Sequence, residues 1–176
     1  MRRAAILLGF LAFLTGCAGL GTPEPPPLGD LLAALKEEMY VYVAQERSRL
    51  NAQAMPLRRD PLLEEAAQTH SEAMAEAGAF DAEGSDDNVA IQRLAADAVF
   101  QGFVTESSGM QYFDPALGFD PAEYAKAIID QWVSIDAHRT NIEYERFSRS
   151  GIGVAAKGNA IYVAQLLATD LDLRND

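Results

Sequence analysis

The order of hydrophobic periodicities along the chain predicts an α+β domain in which a small antiparallel sheet lies between helical layers. Three observations carry that prediction. Segments of helical period occupy the chain as far as Gln101. An imperfectly alternating run, Phe103 to Phe113, then precedes one more helix. Two β runs, Ser150 to Ala156 and Ala160 to Ala168, close the chain, joined by Lys157-Gly158-Asn159, a short glycine-containing connection of the kind that makes a hairpin. Strands and helices in this order do not form the regular alternation of a parallel βαβ sheet. At 176 residues and 49% apolar content the chain holds enough for one domain with a real core.

The first 16 residues stand apart from that domain. Arg2 and Arg3, an apolar run from Ala4 to Leu14 and small residues before Cys17 are the layout of an export signal. The run is shorter than the roughly 20 apolar residues that span a bilayer. Leu14-Thr15-Gly16-Cys17 resembles the lipobox of bacterial lipoproteins, in which the leader is cut before the cysteine and the cysteine is acylated. Residues 1–16 are thus expected to be a signal peptide, and Cys17 the attachment point to a membrane. Several acyl chains there give stable anchoring, whereas one is marginal. By resemblance to sorted lipoproteins, Ala18 implies the outer membrane of a Gram-negative envelope, facing the periplasm. Residues 17–28 read as the lipidated cysteine and a linker whose proline run extends about 3 Å per residue, residues 29–170 as the domain, and 171–176 as a loose tail, the polar stretch itself starting at Asp170.

Cys17 is the only cysteine, so the domain has no disulfide although export would take it to an oxidising compartment. The formal charge is −12, and without Arg2 and Arg3 it becomes −14, from 12 basic and 26 acidic residues. Nucleic acid is excluded as a partner, because binding it needs a concentrated basic surface.

Leu31, Leu35, Met39, Tyr42, Val43 and Leu50 form the apolar stripe of a first helix from Asp30, whose carboxylate can accept from its first N–H groups. Asp60-Pro61 opens a second, with an N-cap carboxylate and proline where no N–H is missed, and Gly78 ends it. His70 shares a face with Leu63, Ala67, Met74 and Ala77 and so points inward, as a histidine hydrogen-bonded in the core or as a ligand. Asp86, Asp87 and Asn88 cap a third helix, Val89 to Gln101; they lack the spacing of a calcium loop. Asp120-Pro121-Ala122-Glu123 is a capping box for a fourth, which runs through Tyr124, Ile128, Ile129 and Trp132. Trp132, the only tryptophan, fills a large socket and its indole N–H needs a partner. His138 follows on a predicted loop, where side chains that act rather than pack are commonly found. Gly151 and Gly153 leave room for another backbone or ring.

The order Trp132, Ser134, His138-Arg139, Asn141-Ile142, Phe147 and Gly151-Ile152-Gly153-Val154 resembles the bacterial branch of the CAP superfamily, the cysteine-rich secretory, antigen-five and pathogenesis-related proteins with SCP domains. The segment from Val43 to Pro61 resembles the family's opening, and Ala79 to Asp86 its short aromatic-Ser-His-Thr-Gly-Ser-Asp segment, with Ala82 where the site histidine stands. The resemblance covers roughly Met39 to Ala168 and implies an α-β-α sandwich. It also implies a cleft with two histidines and one or two glutamates, sometimes holding zinc. Only His138 and Glu106 match that set, Glu106 standing where the family has Gly-Glu-Asn-Ile.

A carboxylate beside an imidazole can orient it, but the pair alone is no catalyst. Ser107, Ser108 and Ser134 are candidate nucleophiles, without a G-x-S-x-G elbow. Zinc normally takes three or four ligands, so neither metal nor cofactor is expected. His138 can equally cap the end of the fourth helix. The expectation is a non-catalytic binding module for a small apolar ligand, a peptidoglycan fragment or a protein partner, using His138, Glu106, Tyr112 and Phe113. A hydrolase using His138 and Glu106, and a structural envelope protein with a vestigial cleft, are the alternatives.

Overall fold

The computed structural model describes residues 25–80, Ile91, Leu94 and residues 102–170. In chain order the elements are α1 (Leu28–Leu50), β1 (Arg58–Arg59), α2 (Pro61–Ala77), β2 (Val104–Tyr112), α3 (Pro121–Ser134), α4 (Asp136–Glu143), β3 (Phe147–Lys157) and β4 (Ala160–Thr169). The four strands form one sheet in the order β1-β3-β4-β2, parallel between β1 and β3 and antiparallel elsewhere. Helix α2 lies on one face, and α1, α3 and α4 lie on the other. This is the expected α+β sandwich of a small sheet between helical layers.

Period-two alternation divides the core. On the central strand β4, Ile161 and Val163 point to the cluster built on Leu35, Met39, Val43, Ile128 and Trp132. Tyr162, Ala164, Leu166 and Ala168 point to the cluster with Leu63, Ala67 and Met74 of α2. The α2 face of the sheet is lined with small residues. A Cβ added at Gly151 or Gly153 would fall well inside 3.0 Å of the α2 backbone at Leu63–Glu64 or Ala67–Gln68. Two glycines therefore set how closely the helix sits.

Side chains from the helices satisfy backbone groups along both edges of the sheet, which would otherwise invite pairing with another chain. Along β2, the Trp132 indole N–H donates to Ser108 O at 2.6 Å, Asn141 Nδ2 to Glu106 O at 2.9 Å and the Tyr124 hydroxyl to Tyr112 O at 2.9 Å. Along β3, beyond the short β1, the Tyr40 hydroxyl accepts from Ile152 N–H at 3.0 Å. The Gln68 amide pairs with both N–H and C=O of Val154, at 3.1 and 3.0 Å.

The helix caps follow the sequence. Asp60 accepts from Leu62 N and Leu63 N, Asp120 from Ala122 N and Glu123 N, and Gly78 ends α2 at φ +63°. Four expectations are corrected. Helix α1 starts at Leu28, so Asp30 sits within its first turn and makes no cap bond. The sheet expected to be antiparallel is mixed, because the two-residue β1, too short to carry a period, pairs parallel with β3 through Arg58↔Arg149. The predicted loop bearing His138 is the helix α4, which starts two residues after α3 ends. Asp170 is anchored by Arg58, Arg149 and Ser148, and that hydrogen bond from Ser148 chiefly holds its carboxyl below the usual range. The predicted third helix lies outside the described residues except for Ile91 and Leu94, both helical. Cys17, Ala82 and the Asp86–Asn88 caps also lie outside them, as do residues 171–176.

Candidate functional site

Strand β2 carries the polar residues on which a site would be built, and its alternation sorts them between the two faces. Thr105 and Ser107 face α4: the Thr105 hydroxyl bonds Asn141 Oδ1 at 2.9 Å, and Ser107 Oγ accepts from Asn141 Nδ2 at 3.3 Å. Glu106 lies between them in sequence and faces the other way. Its partner in the ladder is Leu166, which belongs to the α2 cluster.

Glu106 Oε1 meets His70 Nε2 of α2 at 2.9 Å. The Glu106 side chain is 7% exposed and that of His70 19%, so the contact lies under α2, not in solvent. Glu106 Oε2 is buried without a hydrogen-bond partner. The unused oxygen can accept from a water or from a donor on a ligand. His70 thereby has the inward-facing partner that its place on α2 allowed, but it is half-buried at the margin of the core and not enclosed in it.

His138 lies on the opposite side of the sheet. It is 4% exposed on α4, its ring centroid 6.4 Å from that of Trp132. The imidazole and the carboxylate that the motif match puts into one cleft are therefore separated by the sheet. The physical reason is register: a strand turns successive side chains to opposite faces, so a one-residue difference in alignment moves a side chain across the sheet. Thr105 and Ser107, not Glu106, face the helix that carries His138.

The other expected site residues disperse as well. Tyr112 is 62% exposed at the end of β2, whereas Phe113 is buried and packs edgewise on Phe119 at 5.6 Å. Ser134 donates to Gln131 O of its own helix at 2.6 Å. Among the described residues no group of three or more His, Cys, Asp or Glu is placed to hold a metal. His70 and Glu106 supply two donors and His138 is across the sheet, which does not fit a zinc set.

The segment from Trp132 to Ile142 has a different task. Trp132 and Asn141 both spend their N–H groups on outward carbonyls of β2, and Ile142 is fully buried. The anchor of this corner is Arg47, a residue that sequence reasoning did not single out. It is 3% exposed, and its guanidinium donates to the carbonyls of Met55, Ile142, Glu145 and Phe147 at 2.7–3.2 Å. Burial holds its pKa below the ordinary value. A signal was present: Leu31, Leu35, Met39, Val43 and Arg47 are spaced by four on the buried face of α1. Tyr40, also missed, donates to Glu64 at 2.6 Å beneath the Arg59 guanidinium, and burial together with Glu64 raises its pKa far above normal.

Comparison with solved structures gives the same fold. An outer surface protein from Borrelia burgdorferi superposes with a TM-score of 0.57 at 17% identity, over 76% of this chain and 93% of that one. A cysteine-rich secretory protein from Staphylococcus aureus gives 0.54 at 17% identity, over 81% of this chain and 39% of that one. An extracellular SCP-domain protein from Bacillus anthracis gives 0.52 at 17% identity, over 85% of this chain and 45% of that one. The chain thus spans less than half the length of the last two. Curated proteins give no sequence match. The sequence profile of the cysteine-rich secretory protein family matches residues 42–167, most of the domain, and the chain belongs to that CAP family.

Proposed function

We propose that this protein is an exported, lipid-anchored envelope protein whose CAP domain is a binding module and not a hydrolase. One observation carries the second half: Glu106 pairs with His70 beneath α2, and His138 is buried on the other side of the sheet. A hydrolase built on His138 and Glu106 needs both at one substrate atom. Trp132 and Asn141, which flank His138, serve the edge of β2. A structural envelope protein with a vestigial cleft is the second reading, supported by that same use of the segment.

The anchoring half rests on Leu14-Thr15-Gly16-Cys17. Surface and extracellular relatives in the Borrelia and Bacillus proteins support export. Among the described residues no helix is long and apolar enough to cross a membrane. Ala18 directs the anchored protein to the outer membrane, where the linker holds the domain in the periplasm. Its partner is a small apolar ligand, a peptidoglycan fragment or another envelope protein.

The test has two arms in an expressing Gram-negative cell. Mass spectrometry of the membrane-extracted protein is expected to find an acylated Cys17 as its first residue, and Cys17→Ala to release the chain from the membrane. Purified peptidoglycan and fluorescent lipids are then offered to wild type and to His138→Gln. Binding that survives His138→Gln, without turnover, supports the module. Substrate turnover abolished by His138→Gln would overturn it, and an unmodified cytosolic protein would overturn the anchoring.

A further inference from the structure

We infer that the hollow between the C-terminal ends of α1 and α4 docks a basic, partly apolar peptide segment, with a lysine or arginine entering the hollow and an apolar neighbour resting on its rim. The inference deepens the binding-module reading by naming the class of partner, and it rests on that reading.

The hollow has a volume of about 420 Å³ and is lined by Leu50, Asn51, Thr140, Glu143, Tyr144 and Glu145. That size suits a side chain or small ligand. Leu50 and Tyr144 offer an apolar wall for a methylene stem. The Asn51 amide is already engaged: its Nδ2 donates to Glu143 O at 3.0 Å and its Oδ1 accepts from Gln53 N at 3.0 Å. The polar groups left to a guest are the hydroxyls of Thr140 and Tyr144 and the carboxylates of Glu143 and Glu145. Glu143 is shared with Arg139, 3.5 Å away in an exposed pair. Glu145 is exposed, and only its backbone carbonyl is engaged, by Arg47 and by Met55 N–H. A lining dominated by acceptors selects a guest that donates, and two carboxylates favour one that is charged.

The surroundings extend the match. Tyr144 packs edgewise on Phe147 with centroids 4.8 Å apart, and Phe147 stacks on Phe103 at 5.9 Å. Met55 is tied to the same rim by its N–H bond to Glu145 O at 2.9 Å. Tyr144, which lines the hollow, is 39% exposed, and Phe103, reached from it through Phe147, is 64% exposed. Exposed aromatic rings next to the hollow give an apolar neighbour of that lysine or arginine a surface to rest on. Arg47 beneath the hollow is committed to four carbonyls and fixes the backbone that carries Glu143 and Glu145. The chain's charge of −12 adds a long-range pull on a basic partner.

The test uses the full-length protein in non-ionic detergent micelles and fluorescence anisotropy of labelled Lys-Leu-Lys and Glu-Leu-Glu peptides. Lys-Leu-Lys is expected to bind, and more weakly as salt rises from about 50 to about 500 mM. Glu145→Lys should weaken it about tenfold or more, whereas Glu65→Lys on the outer side of α2 should change it less than about twofold. Both positions are exposed, so folding is kept and checked by the melting transition. Equal binding of Glu-Leu-Glu, equal effects of the two lysine variants, or no binding by a normally melting wild type would each overturn the inference. Cys17 plays no part in the assay, so loss of anchoring and loss of peptide capture are separate results.

Discussion

Adding one methyl group at Gly153 should loosen the whole α2 layer. The Cβ would meet Ala67 O, Ala67 C and Gln68 N, all helix backbone, at distances that real Cβ atoms do not show. No rotamer relieves a clash with backbone, so α2 must retreat by about 1 Å from a face packed at interior density. Overpacking costs about 1–3 kcal/mol when side chains can give way. Here the retreat also strains the two bonds between the Gln68 amide and Val154 and lifts the fully buried Leu63 and Ala67. The expected total for Gly153→Ala is therefore about 3–5 kcal/mol. In a chain of this size that lowers the melting temperature by roughly 6–20 °C. Far-ultraviolet circular dichroism with temperature and with urea measures both quantities. A change within about 0.5 kcal/mol, the range of a neutral surface substitution, would refute the close seating of α2 on β3.

Three further outcomes follow from the same contacts. Arg47→Met keeps the stem but takes the guanidinium donor from the carbonyls of Met55, Ile142 and Phe147, Glu145 O keeping its bond from Met55 N–H, and should cost about 3–5 kcal/mol in urea unfolding; a loss under about 1 kcal/mol would deny its role as the corner's anchor. Trp132→Phe removes the bond to Ser108 O and part of the socket's filling, and should cost about 2–4 kcal/mol by calorimetry. Tyr40, whose folded pKa is raised by burial and by its bond to Glu64, contributes stability that is complete below the ordinary tyrosine value and lost as pH rises toward the folded one. Absorbance titration should find one tyrosine that resists ionisation in the alkaline range, absent in Tyr40→Phe; a full complement of normal tyrosines would contradict the contact.

The architecture was legible because its signals are local. Asp60-Pro61 and Asp120-Pro121 announce helix starts through groups within three residues, and Lys157-Gly158-Asn159 joins two runs long enough to show their character. Gly151 and Gly153 were readable as close-approach positions, although the chain does not say that α2 is what approaches. The site was less legible, since it depends on which face of β2 a residue takes. A match of Glu106 to a family motif is accurate to about one residue, and in a strand one residue is the thickness of the sheet. Ser134-Ile135-Asp136 looks like a helix exit and so predicts a loop at His138, yet the chain breaks for one residue and resumes as α4. Arg47 escaped notice because a charge on an apolar stripe reads as an interruption, while here it continues the stripe with its donors turned to buried carbonyls.

Glu106 contacts the imidazole of His70 and not that of His138. Two double-mutant cycles in urea unfolding test this, one pairing Glu106→Gln with His70→Ala and one pairing it with His138→Ala. The 2.9 Å contact predicts a coupling of about 0.5–3 kcal/mol with His70, and additivity within about 0.5 kcal/mol with His138 across the sheet. Coupling to His138 with none to His70 would contradict the account and return both residues to one cleft.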